Sequence, residues 1–322
     1  MRVPNPHDHF FRQSFGRVDI ARNYLEEYLP EEIVLLFDLE KLELQPDHFI
    51  DEELREHQSD MLYQTELVDG NKAYIYFLFE HKSYNDSLLA LQLLRYMVRF
   101  WEREVQEKRP LTIILPLVIY HGSRPWIVPY TFGELIDIPD VLKPYTPDFR
   151  YHLSDFSYQS DEEVRGRIWL RVVLAILKAI FDPKLNQELD GLMDLAFELQ
   201  KQQTGLDFIR TILYYLTRAT GKVSVNDLQT AVLKQGQKGE KLMKTIAEQW
   251  LEEGREEGLK QGLKQGLEQG AEKALQQIGW RLLNNFEAAR VSELMGVPLE
   301  RVISWQQSLG EERGEEKRGE DS

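Results

Sequence analysis

The stretch from Gln58 to Ser83 constrains the fold more than any other. Two β-prone runs flank Asp69-Gly70-Asn71, and Gly and Asn supply the positive φ that tight hairpin loops demand. The second run, Ala73 to Phe79, is almost continuously apolar and aromatic, as suits a strand covered on both faces. It ends abruptly in three polar residues, Glu80, His81 and Lys82.

Register gives these polar ends their meaning. With Asp69-Gly70-Asn71 as the loop, Val68 pairs with Lys72 and Asp60 falls opposite Glu80. Direct partners in an antiparallel pair share a face, with Cβ atoms roughly 5 Å apart. Lys82 joins that face by alternation. A two-residue loop would shift the pairing by one and send the carboxylates to opposite faces. Two adjacent carboxylates repel unless a cation joins them, and hard oxygen ligands suit Mg²⁺ or Mn²⁺. Asp60 and Glu80 holding such an ion, with Lys82 near the attacking water, would make a phosphodiester hydrolysis site. The competing reading is an ordinary hairpin whose strand-end carboxylates face solvent and are neutralised by Lys82.

The 322 residues suffice for two or three domains, and 42% hydrophobic with 29% charged residues describes a folded, water-compatible chain. The absence of cysteine excludes disulfides, thiolate metal sites and cysteine nucleophiles. Neither a bilayer-length apolar run nor a signal-peptide core is present, so no membrane partner and a cytoplasmic location are expected. A net charge of −15 counts against a nucleic-acid partner. Basic residues gather locally, however, at Arg95, Arg99, Arg103, Lys108 and Arg109.

Near the start, Phe10, Phe11 and Phe15 keep helical spacing behind Asp8. Asp8 either caps that helix or serves as a further metal ligand. Residues 33–45 read as a strand. Asn85-Asp86-Ser87 signals the start of a helix over Leu88–Gln106. On it Gln92 and Tyr96 share one face, as the polar edge of a packed helix or, together with Arg95 from another face, as the residues that hold a substrate phosphate. Leu111–Tyr120 reads as a buried strand in which Pro116 marks a bulge or an edge, and a last short strand is expected at Phe149–Leu153. This order predicts an α/β domain over 1–155, a mixed sheet flanked by helices.

Helical periodicity then dominates, predicting a bundle over 156–238. In 239–310, glycine recurs every fourth residue from Gly254 to Gly270, with Leu259, Leu263 and Leu267 following three of them. Five helical glycines cost on the order of 5 kcal/mol relative to alanine. Either the Gly/Leu stripe lets a partner helix approach closely, as in a homo-oligomer, or the segment is a frayed linker. A short helical pair around Gly296-Val297-Pro298 has a helix-turn-helix outline but little basic charge, which favours contact with a partner or self. Residues 311–322 form an acidic tail expected to be disordered.

These residues together resemble the Rpn-type recombination-promoting nuclease and transposase-related family. The resemblance rests on the opening Pro6-His7-Asp8-His9-Phe10-Phe11, on Ser59-Asp60-Met61-Leu62-Tyr63, and on Phe79-Glu80-His81-Lys82-Ser83. Leu115 through Gly122 with Trp126, and the Gly-repeat helix, extend it over most of residues 5–300. That family is placed in the PD-(D/E)XK nuclease superfamily, which implies a restriction-endonuclease-like core followed by an all-helical region. The resemblance implies Asp60 and Glu80 as the strand carboxylates, Lys82 as the motif lysine and Asp8 as the helix acid. Gln92 and Tyr96 match a Gln-x-x-x-Tyr element of related nucleases. Ser59 stands where the general pattern has proline. The implied activity is Mg²⁺-dependent DNA endonuclease cleavage linked to recombination or mobile elements. A catalytically inactive interaction scaffold is the alternative.

Overall fold

A computed structural model describes residues 5–46, 60–80, 86–157 and 163–307, without the side chains of 78–80 and several within 246–257. Strands β1 (Phe37–Leu44), β2 (Met61–Leu67), β3 (Lys72–Glu80), β4 (Ile113–Tyr120) and β5 (His152–Asp155) form one sheet in that order. The pairs β1/β2 and β2/β3 are antiparallel, while β3/β4 and β4/β5 are parallel. The sheet is therefore mixed, as expected. The apolar run of β3 is its central strand, and Ala73, Ile75 and Phe77 on one face and Tyr74 and Tyr76 on the other are all buried. Pro116 lies inside β4, just before the stretch Leu117–Tyr120 that β5 covers. Its missing N–H therefore falls where the strand is locally an edge.

The β2/β3 hairpin corrects the expected register. Glu66 pairs with Lys72, Met61 pairs with Phe77, and the Leu67 amide donates to the Asn71 carbonyl at 2.7 Å. The loop is thus Val68-Asp69-Gly70, one residue earlier than expected, with Gly70 at φ +87° supplying the left-handed position. Moving the loop by one residue moves the register by two. Continuing the ladder sets position 78, rather than Glu80, opposite Asp60, so positions 60 and 80 are diagonal neighbours. Alternation survives because the shift is even.

Helices cover both faces. On one lies α4 (Leu89–Gln106), which begins one residue after the expected start and has no side-chain cap, although the Leu88 amide bonds to Asp86 Oδ1. Its Leu93, Tyr96, Met97 and Phe100 pack on Tyr74, Tyr76, Val118 and Tyr120. Residues on the other face meet α1 (Pro6–Phe15) and α2 (Val18–Tyr28), which a short α3 (Glu31–Val34) follows. Phe77 sits against Phe15 and Tyr24, and the Tyr63 hydroxyl donates to the Phe15 carbonyl. Asn5, not Asp8, caps α1: its side chain accepts from the His7 amide at 3.0 Å, Pro6 opens the helix, and Asp8 is buried within the first turn.

Beyond the sheet run α5 (Ile168–Ala179), α6 (Leu185–Phe197), α7 (Gly205–Ala219) and α8 (Val225–Leu233). A reciprocal Ser224/Asp227 capping box starts α8. Phe10 of α1 stacks on Tyr215 of α7 with centroids 4.3 Å apart. This helical segment belongs to the same compact unit as the sheet, residues 1–244. Residues 245–322 form a second unit. It takes in most of the long α9 (Gln237–Leu283), α10 (Ala288–Met295) and a last helical stretch at 299–307. There Val291, Val302 and Trp305 make a small core, and a side chain at Gly279 would collide with the Trp305 ring. Along α9, Leu259, Leu263 and Leu267 are exposed, and the surface at Gly258, Gly262, Gly266 and Gly270 is open. Among the described residues, no helix is long and apolar enough to cross a membrane. The acidic tail lies outside the described residues.

Candidate active site

Asp60 immediately precedes β2 and is only 2% exposed. Burying a carboxylate is costly unless its oxygens are satisfied, and here the Tyr76 hydroxyl donates to Asp60 Oδ2 at 2.8 Å. Tyr76 pairs with Leu62 across the hairpin, so alternation turns it to the face that Asp60 shares. Behind Tyr76 stacks Tyr96 of α4, with ring centroids 3.6 Å apart and planes within 10°. Burial first, and the Asp60 carboxylate second, push both phenols well above the ordinary tyrosine range. Tyr76 therefore remains a donor, holding one carboxylate oxygen in place.

Of the expected site residues, Tyr96 is 4% exposed and turned onto Tyr76, Gln92 is half-buried one turn away on α4, and Arg95 is exposed. Asp8 is buried on α1, which packs on the sheet face opposite α4. Lys82 lies outside the described residues, as does the Glu80 side chain. The Glu80 backbone pairs with Tyr120 at the end of β4. Among the described residues, no cluster of three or more His, Asp or Glu stands ready for a metal. What the chain presents there is a buried, hydrogen-bonded carboxylate, an oxygen donor that fits Mg²⁺ or Mn²⁺.

The uniformly apolar character of the β3 run conceals Tyr76 as a site residue. Its hydroxyl, two residues before position 78 on the side of Asp60, was the available signal. A second buried polar group lies at the end of β4. Fully buried His121 follows β4 directly, and its ring lies 5.3 Å from that of His7 and 4.7 Å from that of Phe181. His7 Nδ1 shares a 2.8 Å hydrogen bond with the Tyr215 hydroxyl, tying the start of α1 to α7. The basic cluster on α4 and the turn after it is partly neutralised: Arg103 and Arg109 both pair with Glu107, and Arg99 pairs with Glu102.

The buried phenols predict an alkaline limit to stability. Tyr76, Tyr96 and Tyr215 are all raised, chiefly by burial. In the unfolded chain they ionise near about pH 10. Their contribution is therefore complete below about pH 10 and is lost as pH rises beyond it, because only the unfolded state releases protons there. Urea midpoints should stay level up to roughly pH 9.5 and then fall steeply. A midpoint unchanged to about pH 11 would contradict the packing around these phenols.

A mixed sheet with helices on both faces, ending beside a buried carboxylate, defines an α/β nuclease-like fold. The chain belongs to the family described as "Putative transposase, YhgA-like", whose model matches residues 5–207. It is similar to recombination-promoting nuclease RpnD of Escherichia coli O157:H7, with 30% identity covering 76% of this chain and 93% of the relative. It is also similar to RpnC of Escherichia coli K12, at 29% identity over 77% of this chain and 81% of that protein. A third relative, the inactive recombination-promoting nuclease-like protein RpnE of the same strain, is 29% identical over 78% of this chain and 83% of its own. No solved structure matches the chain.

Proposed function

We propose that this protein is a Mg²⁺- or Mn²⁺-dependent DNA endonuclease of the PD-(D/E)XK type, acting in recombination or mobile-element processes in the cytoplasm. The observation that carries this reading is the buried Asp60 carboxylate oriented by Tyr76, in a chain related to proteins named as recombination-promoting nucleases. Asp60 and Glu80 would hold the ion, with Asp8 as a further carboxylate. When bound, the metal polarises the scissile phosphate and lowers the pKa of a water. Tyr76 fixes the Asp60 carboxylate, and the Tyr96 ring fixes Tyr76, so the ligand oxygen is preorganised. Lys82 orients the attacking water and stabilises developing negative charge. Gln92 and the exposed Arg95 contact DNA phosphate. The inward stacking of Tyr96 favours a supporting role over direct phosphate contact. Self-association through the Gly254–Gly270 helix would place two such sites in one particle, and its exposed leucines favour that arrangement.

A second reading, a catalytically inactive scaffold, is favoured by one observation: an inactive relative is as similar to this chain as the named nucleases. Nicking of supercoiled plasmid separates the two. The nuclease reading expects cleavage with Mg²⁺ or Mn²⁺, none with Ca²⁺ or EDTA, and loss of cleavage in Lys82→Ala. A folded wild-type protein that leaves the plasmid intact with every metal would establish the scaffold instead.

A further inference from the structure

Two rows of side chains leave α1 in different directions. Helical residues three or seven apart lie above one another, so Asp8, Phe11 and Phe15 form one row and His7 and Phe10 another. The first row faces the sheet: Phe11 stacks on Phe15 at 4.5 Å, Phe15 lies against Phe77, and Asp8 and Phe11 are both buried. The second row faces the helical segment, where one side chain, Tyr215 of α7, holds both members. The Tyr215 ring stacks on Phe10 with centroids 4.3 Å apart and planes 5° apart, while its hydroxyl shares the 2.8 Å hydrogen bond with His7 Nδ1. Tyr215 is only 1% exposed, so His7 supplies the partner that a buried hydroxyl requires.

Two more rings enclose His7. It stacks on Phe181, just past α5, with centroids 5.6 Å apart and planes 17° apart, and lies 5.3 Å from the ring of His121. His121 directly follows Tyr120, whose backbone pairs with Glu80. The first turn of α1 is therefore fixed at the end of β4, beside the strand end that carries Glu80. Successive helical residues are separated by about 100° of rotation. A clamp on His7 and Phe10 thus fixes the rotation of α1 about its axis, and with it the direction of Asp8 in the neighbouring row.

We infer that Tyr215 is a positioning residue for the metal site, acting through His7 to set the carboxylate of Asp8, so that α7 is part of the cleavage machinery as well as of the fold. This rests on the reading of Asp8 as a further metal ligand.

Isothermal titration of the full chain with Mn²⁺, in the absence of DNA, reads the site without reading cleavage. Tyr215→Phe keeps the stack on Phe10 and removes only the hydroxyl. It should weaken Mn²⁺ binding roughly tenfold, the lower end of what loss of an outer partner costs. On an Asp8→Asn background the same change should have no further effect, because the residue it acts through no longer ligates. A purely structural role would lower the melting temperature and leave the Mn²⁺ affinity unchanged well below the melt. Equal affinity in Tyr215→Phe and wild type would overturn the proposal, and so would a loss that persists in full on the Asp8→Asn background. If Tyr215→Phe fails to fold, His7→Phe, which keeps the stack on Phe181, is read in the same way. Unaltered affinity in Asp8→Asn beside a loss in Asp60→Asn would overturn this proposal and leave the nuclease reading standing. Absence of Mn²⁺ binding to the wild type would remove both.

Discussion

Asp60→Asn is expected to abolish metal-dependent cleavage while leaving the thermal melt close to that of the wild type. Asparagine keeps the shape of the side chain and an oxygen that can accept from the Tyr76 hydroxyl, so the hydrogen bond at 2.8 Å has a replacement. What disappears is the negative charge that a hard divalent ion requires. Tyr76→Phe makes the complementary change, keeping the charge and removing the donor that orients it. Loss of such an outer partner typically costs about 10–100-fold in metal affinity or activity. The two variants should therefore rank, with Asp60→Asn the more severe, and added Mn²⁺ should partly restore only Tyr76→Phe. Plasmid nicking rates across a metal titration measure both. Wild-type rates in Asp60→Asn would remove Asp60 from the site.

Phe77→Ala should produce the largest loss of stability of any single change in β3, about 3–5 kcal/mol. Phe77 is fully buried, and its ring lies 5.1 Å from Tyr63, 5.6 Å from Tyr24 and 6.0 Å from Phe15. These rings come from the neighbouring strand and from both helices on that face. Tyr63 is anchored to the Phe15 carbonyl and Tyr24 to Ser154, so neither can easily swing into the space left behind. The cavity would persist, and its unfilled volume adds to the lost transfer energy. Urea denaturation of wild type and variant measures the difference. A loss below about 1 kcal/mol would mean that α1 and α2 close the gap by moving.

Much of the fold can be read locally. The continuous apolar run of β3 marks a central strand because only double-sided burial accommodates it. Gly70 marks the hairpin because its positive φ excludes most other residues. Residues 89–106 declare α4 by the spacing of Leu89, Leu93, Met97 and Phe100. The helical runs after residue 161 follow the same rule. In each case the determining interaction is between residues near in sequence, or between a side chain and its own backbone.

Other features are decided by partners distant in sequence. Asp69-Gly70-Asn71 permits more than one three-residue loop, and the choice of Val68-Asp69-Gly70 moves the register by two residues. Packing of Tyr63 and Phe77 against α1 and α2, and of Tyr74 and Tyr76 against α4, selects between them. The sequence by itself places Asp60 at the start of a strand and Glu80 at the end of the next. Only the tertiary structure buries Asp60, sets the Tyr76 hydroxyl on it and stacks Tyr96 from a helix behind both. It also joins the helical segment to the sheet, through Phe10 on Tyr215, where the change to helical periodicity suggested a boundary near residue 155. Local preference is a short-range energy and leaves its mark in periodicity. A hydrogen bond between residues on different strands, or a ring stacked across layers, leaves none, because its energy exists only once the chain has brought them together.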